Sequence, residues 1–103
     1  MIKNGENCMT YYKKRADQNQ NEIKHAFIAL GASVLDLSRV GQGCPDLLIA
    51  INGKMALVEV KSSNKATFTE PQLKFIGNWK GGAINRIDSI EGAIRLIKLL
   101  DIE

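Results

Sequence analysis

Asp46, Glu59 and Lys61 are the side chains in this sequence whose types and spacing could do chemistry together. Asp46 precedes one apolar run, Leu47 to Ile51; Glu59 lies within a second, Met55 to Val60, with Lys61 just after it. Asn52-Gly53 joins the runs, and Asn-Gly between apolar runs is the strongest short-range signal for a two-residue type I′ hairpin. With Asn52 and Gly53 as the turn, Ile51 faces Lys54, and counting back brings Asp46 directly opposite Glu59. Opposed Cβ atoms in such a ladder lie roughly 5 Å apart, and Lys61, two residues beyond Glu59, projects from the same face. Two carboxylates held so close repel unless a positive charge sits between them. A divalent cation with a lysine alongside would resolve the conflict. The plainer alternative is a cross-strand pair in which Lys61 neutralises a carboxylate.

The elements that must position this trio can be read from the pattern. Asp17 to Leu30 reads as a helix, with Asp17 or Asn19 as cap, Ile23, Phe27 and Leu30 on one stripe, and Gly31 at the C′ position. Ala32 to Leu37 reads as a strand. Ser38 to Cys44 is a glycine-bearing connection ending at Pro45, a residue that cannot donate in a ladder and so suits a strand entrance. The hairpin strands are apolar on both faces except at the end away from the turn, which predicts central strands covered on both sides. Thr69 with Gln72 forms a capping-box signature, Pro71 falls in the first turn, and the helix so opened carries Leu73, Ile76 and Trp79 before Gly81-Gly82. Ala83 to Ile87 is a short strand. Ser89 caps a last helix with core residues Ile90, Ala93, Ile94, Ile97 and Leu100. The order αβββαβα implies an α/β fold, a mixed β-sheet with flanking helices on both faces.

The 103 residues suit one domain spanning 1–103, with residues 1–16 as a polar N-terminal arm holding Lys13, Lys14 and Arg15. A net charge of +3 leans mildly toward polyanions. Cys8 and Cys44 have no metal-type spacing and are too few for a disulfide scaffold, so a reducing cytosol is expected. No apolar stretch suits a signal peptide or a membrane span, which predicts no membrane partner. With one histidine, His25, the chain lacks a zinc set, whereas carboxylate oxygens suit Mg2+ or Mn2+.

Pro45-Asp46, twelve intervening residues, then Glu59-Val60-Lys61 resembles the PD-(D/E)XK nuclease motif. Adding the helix with Glu22, the run Gly43 to Leu47, and Gln72 on the next helix, the stretch from Asn19 to Gly82 resembles the VRR-NUC family. That family includes small stand-alone virus-type and bacterial nucleases and the catalytic domain of larger crosslink-repair nucleases. The resemblance implies a restriction-endonuclease-like fold and a metal-dependent endonuclease acting on branched or structured DNA, including four-way (Holliday) junctions, as a homodimer. It implies the cytoplasm of a bacterial or virus-infected host cell as the place of action. It also implies Asp46, Glu59 and the Val60 backbone carbonyl as metal ligands, Glu22 reaching the metal directly or through water, and Lys61 and Gln72 as catalytic partners. The plainer reading of Glu22 is a solvated glutamate beside Lys24 or Lys14, and Gln72 also reads as the capping partner of Thr69.

Arg39, Lys65, Lys74 and Lys80 are candidate DNA contacts, and the absence of a groove-reading motif favours backbone or shape recognition. Trp79 and Phe75, at helical spacing, read as core rather than as base-stacking residues, and Cys44 as a small buried apolar side chain. The rival readings are a monomeric nicking or flap-type nuclease within a larger assembly, and a non-catalytic DNA-binding or regulatory module on the same fold.

Overall fold

The computed structural model describes residues 18–102. Cys8, the basic arm and a cap at Asp17 lie outside the described residues.

The first helix, α1, is helical from residue 18 to residue 29. It closes in a Schellman turn: Ala32 N–H donates to Phe27 O and Gly31 N–H to Ile28 O, both at 3.0 Å. Gly31 takes φ +98°, which a side chain would oppose. Four strands follow in the order β1 (Ser33–Asp36), β2 (Leu47–Ile51), β3 (Lys54–Val60) and, after helix α2 (Glu70–Asn78), β4 (Ile84–Ile87); helix α3 (Ile90–Leu100) ends the fold. The sheet order is β1-β2-β3-β4, antiparallel except for the parallel β3–β4 pair. This is the mixed α/β sheet with flanking helices of a restriction-endonuclease-like fold.

Asn52 (φ +54°) and Gly53 (φ +75°) are both left-handed, as a type I′ turn requires. The turn fixes the register Ile51↔Lys54, Ala50↔Met55, Ile49↔Ala56, Leu48↔Leu57 and Leu47↔Val58.

The core forms on one face of this sheet. Ile23 and Phe27 of α1, Leu47, Ile49, Val58 and Ile87 of the sheet, and Ala93, Leu96 and Ile97 of α3 make one buried cluster. The expectation that both faces of the hairpin are covered fails on the face that carries Asp46 and Glu59. There Met55 is 70 % exposed and Leu48, Ala50 and Leu57 are half-buried. The helix nearest that face, α2, contains no buried residue, and its C-cap Trp79 borders an open hollow with Leu48, Met55 and Leu57. Trp79, expected in the core, is exposed, as are Leu73 and, beyond the last turn of α1, Leu30. On α3 the inward stripe is Ala93, Leu96 and Ile97; Ile90 is exposed at the first turn, so Leu96 takes the core place expected for Ile90.

Candidate active site

The register continues one step past β2 and places Asp46 beside Glu59. In a two-residue hairpin the ladder alternates, and this step is a non-hydrogen-bonded position, where opposed side chains come closest. The next step sets Pro45 against Val60. Pro45 has no N–H to give the Val60 carbonyl, and the Val60 N–H donates instead to Asp46 Oδ2 at 2.9 Å. Lys61 N–H donates to Ile87 O at 3.0 Å, so Lys61 bonds toward β4 and the Val60 amide and carbonyl lie on the β2 side. Proline at residue 45 therefore has two effects. It marks where the ladder begins at the entrance to β2, and it leaves a backbone oxygen without a ladder donor next to two carboxylates.

Glu59 is only 4 % exposed, the one buried charged residue among those described. Its Oε2 accepts from Gln72 Nε2 at 2.8 Å and lies 3.6 Å from Lys61 Nζ. Lys61 Nζ donates to Gln72 Oε1 at 2.7 Å and stands 5.4 Å from the centre of the Phe68 ring. Gln72 Oε1 also accepts from the Thr69 amide at 2.9 Å, which completes the capping box of α2. One glutamine thus caps a helix and bridges Glu59 to Lys61.

The helix is brought there by the glycine connection. Gly43 (φ +79°) presses its Cα against the Pro71 carbonyl in the first turn of α2. Asn19 was a candidate cap, yet it lies inside α1. Its Nδ2 donates to the Lys61 carbonyl at 2.6 Å, which pins α1 to the end of β3.

Arg86 was not singled out from the sequence. It pairs with Glu59 across the parallel ladder, donates to Ser63 O at 2.8 Å and Ala66 O at 2.6 Å, and bonds Asp88 at 2.7 Å. It holds the loop between Lys61 and α2. No local signal announces such a residue, because no turn sets a parallel register.

Burial pushes the Glu59 carboxyl up to about 7, the Asp46 carboxylate adds to the rise, and Lys61 opposes it. Burial raises Asp46 as well, against the pull of the Val60 amide. Burial and both carboxylates hold the Cys44 thiol above its ordinary range, which keeps it a protonated, unreactive thiol.

This has a pH consequence. Glu59 titrates at about 7 in the fold against an ordinary 4.5, so its contribution to stability is full below pH 4.5 and is lost as pH rises through 7. The melting temperature of the metal-free protein is expected to fall between pH 5 and pH 8, and added Mg2+ or Mn2+ to restore it at pH 8. Thermal melts at both pH values, with chelator and with each ion, check this; a metal-free melting point that rises across the interval contradicts it.

The donor set fits a hard divalent cation. Val60 N–H takes one Asp46 oxygen and Gln72 one Glu59 oxygen, and the two carboxyl groups lie close enough to share a hydrogen bond when Glu59 is protonated, the place a cation would take. Two carboxylate oxygens and the Val60 carbonyl offer oxygen ligands only, the preference of magnesium or manganese. Glu22 does not join them. It is exposed on α1, its Oε1 accepts from Gln18 Nε2 at 3.5 Å, and it lines a polar hollow of about 220 Å³ with Asn19 and Ser62. The buried stripe of α1 covers the opposite face of the sheet, so Glu22 stands at the strand end. Among the described residues no three acidic, histidine or cysteine side chains converge on one point. Lys24, offered as a partner for Glu22, pairs with Asp36 at 3.5 Å. Arg39, Lys65, Lys74 and Lys80 are all exposed.

The chain is 30 % identical to a solved structure described as a VRR_NUC domain, with a TM-score of 0.68 over 82 % of this chain and 95 % of that one. It belongs to the VRR-NUC family. That makes it a member of a nuclease-type hydrolase family. No family model and no curated protein sequence matches it. In this VRR-NUC chain the nuclease-like trio sits at one end of the central hairpin. Among the described residues no helix is long and apolar enough to cross a membrane.

Proposed function

We propose that this VRR-NUC protein is a Mg2+- or Mn2+-dependent endonuclease that hydrolyses phosphodiester bonds in branched or structured DNA, four-way junctions included, as a homodimer. The observation that carries the hydrolytic reading is the pair of carboxylates opposed across the hairpin with Lys61 Nζ bonded into their network. Asp46, Glu59 and the Val60 carbonyl are the groups that would hold the ion, and Glu22 would add an outer contact through water. A divalent ion held there supplies charge neutralisation on the phosphate oxygens and lowers the pKa of water.

The chain's own groups do the rest. Lys61 Nζ has three protons; one goes to Gln72 and one faces Glu59, which leaves a third for the attacking water or a non-bridging phosphate oxygen. Gln72 fixes that ammonium and the buried side of Glu59 together, so neither turns away when substrate arrives. The α2 N-terminus, aimed at the same place, favours a phosphate. Arg39, Lys65, Lys74 and Lys80 contact the DNA backbone, which gives salt-dependent, sequence-independent affinity. A two-fold dimer places two such sites on opposed strands.

The test is incubation of purified protein with four-way, flapped and linear DNA, with Mg2+ or Mn2+ and with chelator. Cleavage of the structured DNAs that needs the ion supports the reading. Cleavage that ignores chelator, or no cleavage of any substrate, defeats it.

A further inference from the structure

A surface pocket of about 640 Å³ adjoins the site, lined by Gln42, Trp79 and, from α2, Glu70, Pro71, Lys74, Phe75 and Asn78. Two of its lining side chains, Phe75 and Trp79, stack on each other with ring centroids 5.3 Å apart and planes inclined by 17°, so the pair offers its uncovered ring surface to the pocket. These rings are not core. Trp79 is 44 % exposed and α2 buries nothing fully. An indole left open costs the apolar stabilisation its burial would bring, so a ligand that covers it has a ready driving force.

The lining selects the ligand. Gln42 and Asn78 carry amides, each able to donate and accept at the edge of a flat heterocycle. Lys74 and Glu70 together leave the lining without net charge, which favours an uncharged aromatic group inside the pocket and leaves Lys74 free to meet the backbone of the same strand. Position supplies the rest. Gln42 lines the pocket one residue before Gly43, whose backbone meets the Pro71 carbonyl; Pro71 lines the pocket and Gln72, the next residue, bonds Glu59 and Lys61. At 1.5 Å per residue along α2, Phe75 and Trp79 lie about 4.5 and 10 Å beyond Gln72, one to two nucleotides along a strand.

We propose that this pocket binds an unpaired nucleobase of the same DNA strand whose phosphodiester lies at Asp46, Glu59 and Lys61. A base within a duplex has both faces covered by its neighbours and cannot stack on Trp79. The pocket therefore selects DNA with an unpaired base one or two nucleotides from the cleaved bond. This specifies the substrate of the proposed endonuclease and rests on that reading for the position of the phosphate.

Trp79 is the sole tryptophan of the chain, so its fluorescence reports on this pocket directly. The probes are a single-stranded oligothymidylate, an abasic strand of equal length and charge, and a blunt duplex, each titrated into the full chain with chelator present so that nothing is cut. The base-bearing strand is expected to quench Trp79 and to bind about tenfold more tightly than the abasic strand, the range that aromatic–base stacking supports. Phe75→Ala is expected to remove that preference while leaving the weaker, salt-dependent binding of the abasic strand. Equal quenching and equal affinity for the base-bearing and abasic strands overturns the proposal. Cleavage with no such preference overturns the pocket alone; the preference without cleavage of any DNA supports the pocket and defeats the hydrolytic reading.

Discussion

Asp46→Asn is expected to lower the rate of DNA cleavage by about a thousandfold or more, roughly 4 kcal/mol at the transition state, while the metal-free protein becomes more resistant to heat above neutral pH. The two effects have one origin. Asparagine keeps the shape of aspartate and its Oδ1 can still accept from the Val60 amide, so the end of the hairpin stays in register. What disappears is the charge that a cation needs and that also raises the Glu59 carboxyl. Without that charge Glu59 ionises at lower pH, and the fall in stability between pH 5 and pH 8 becomes shallower. Single-turnover cleavage and melting curves on the same preparation read both quantities. Retained cleavage, or a variant that melts earlier at pH 8, would sink the account. Lys61→Ala shares the first effect, about 10²–10⁴-fold in rate for a group that positions or transfers a proton, but not the second. Lysine opposes the rise at Glu59, so its loss is expected to steepen the pH dependence.

The second large effect is predicted at a residue with no functional atoms. Gly43→Ala is expected to destabilise the fold by about 3 kcal/mol, on the order of 15 °C in melting temperature, because strain and collision add. At φ +79° an alanine is strained, and its Cβ would fall inside the Pro71 carbonyl and 2.9 Å from the Gln72 nitrogen. Relief requires the first turn of α2 to move off the glycine connection, which drags Gln72 from Glu59 and Lys61. Cleavage by the fraction still folded should drop with it. Gly41→Ala is the matched control: φ is also +79° but no atom lies within 4 Å of the added carbon, so it should cost about 1 kcal/mol and leave the site intact. Equal melting temperatures for the two variants would show that the contact with Pro71 does not hold α2 in place.

The glycine connection has a further part in the architecture. Two turns, closed by Val40 N–H to Leu37 O and Cys44 N–H to Gly41 O, fold residues 38–44 back so that Pro45 is fully buried at the entrance to β2. Leu37 N–H donates to the Asp46 carbonyl at 2.7 Å. Asp46 is thus held through its own backbone by β1, through its side chain by β3, and through Gly43 it is linked to α2. A carboxylate gripped from three directions cannot relax away from its partner, so the repulsion it sustains with Glu59 persists in the absence of a cation.

What the sequence alone determined was local chemistry. Asn52-Gly53 dictated a left-handed two-residue turn, and since side chains alternate with period two, that one turn settled the opposition of Asp46 and Glu59 and the side on which Lys61 lies. Thr69 with Gln72, Ser89 and Gly31 marked helix ends for the same reason: each satisfies backbone groups within a few residues of itself. Tertiary structure decided everything that required two distant segments to meet. It docked α2 without burying any of its residues, which left Trp79 and Met55 exposed against their apolar character. It turned Asn19 from a possible cap into a tie to Lys61, and set Glu22 in an exposed polar hollow beside Asn19 and Ser62. The parallel pairing of β3 with β4 brought Arg86 beside Glu59. Such docking is fixed by the sum of many weak apolar contacts and a few long-range hydrogen bonds, and no short stretch of sequence contains that sum.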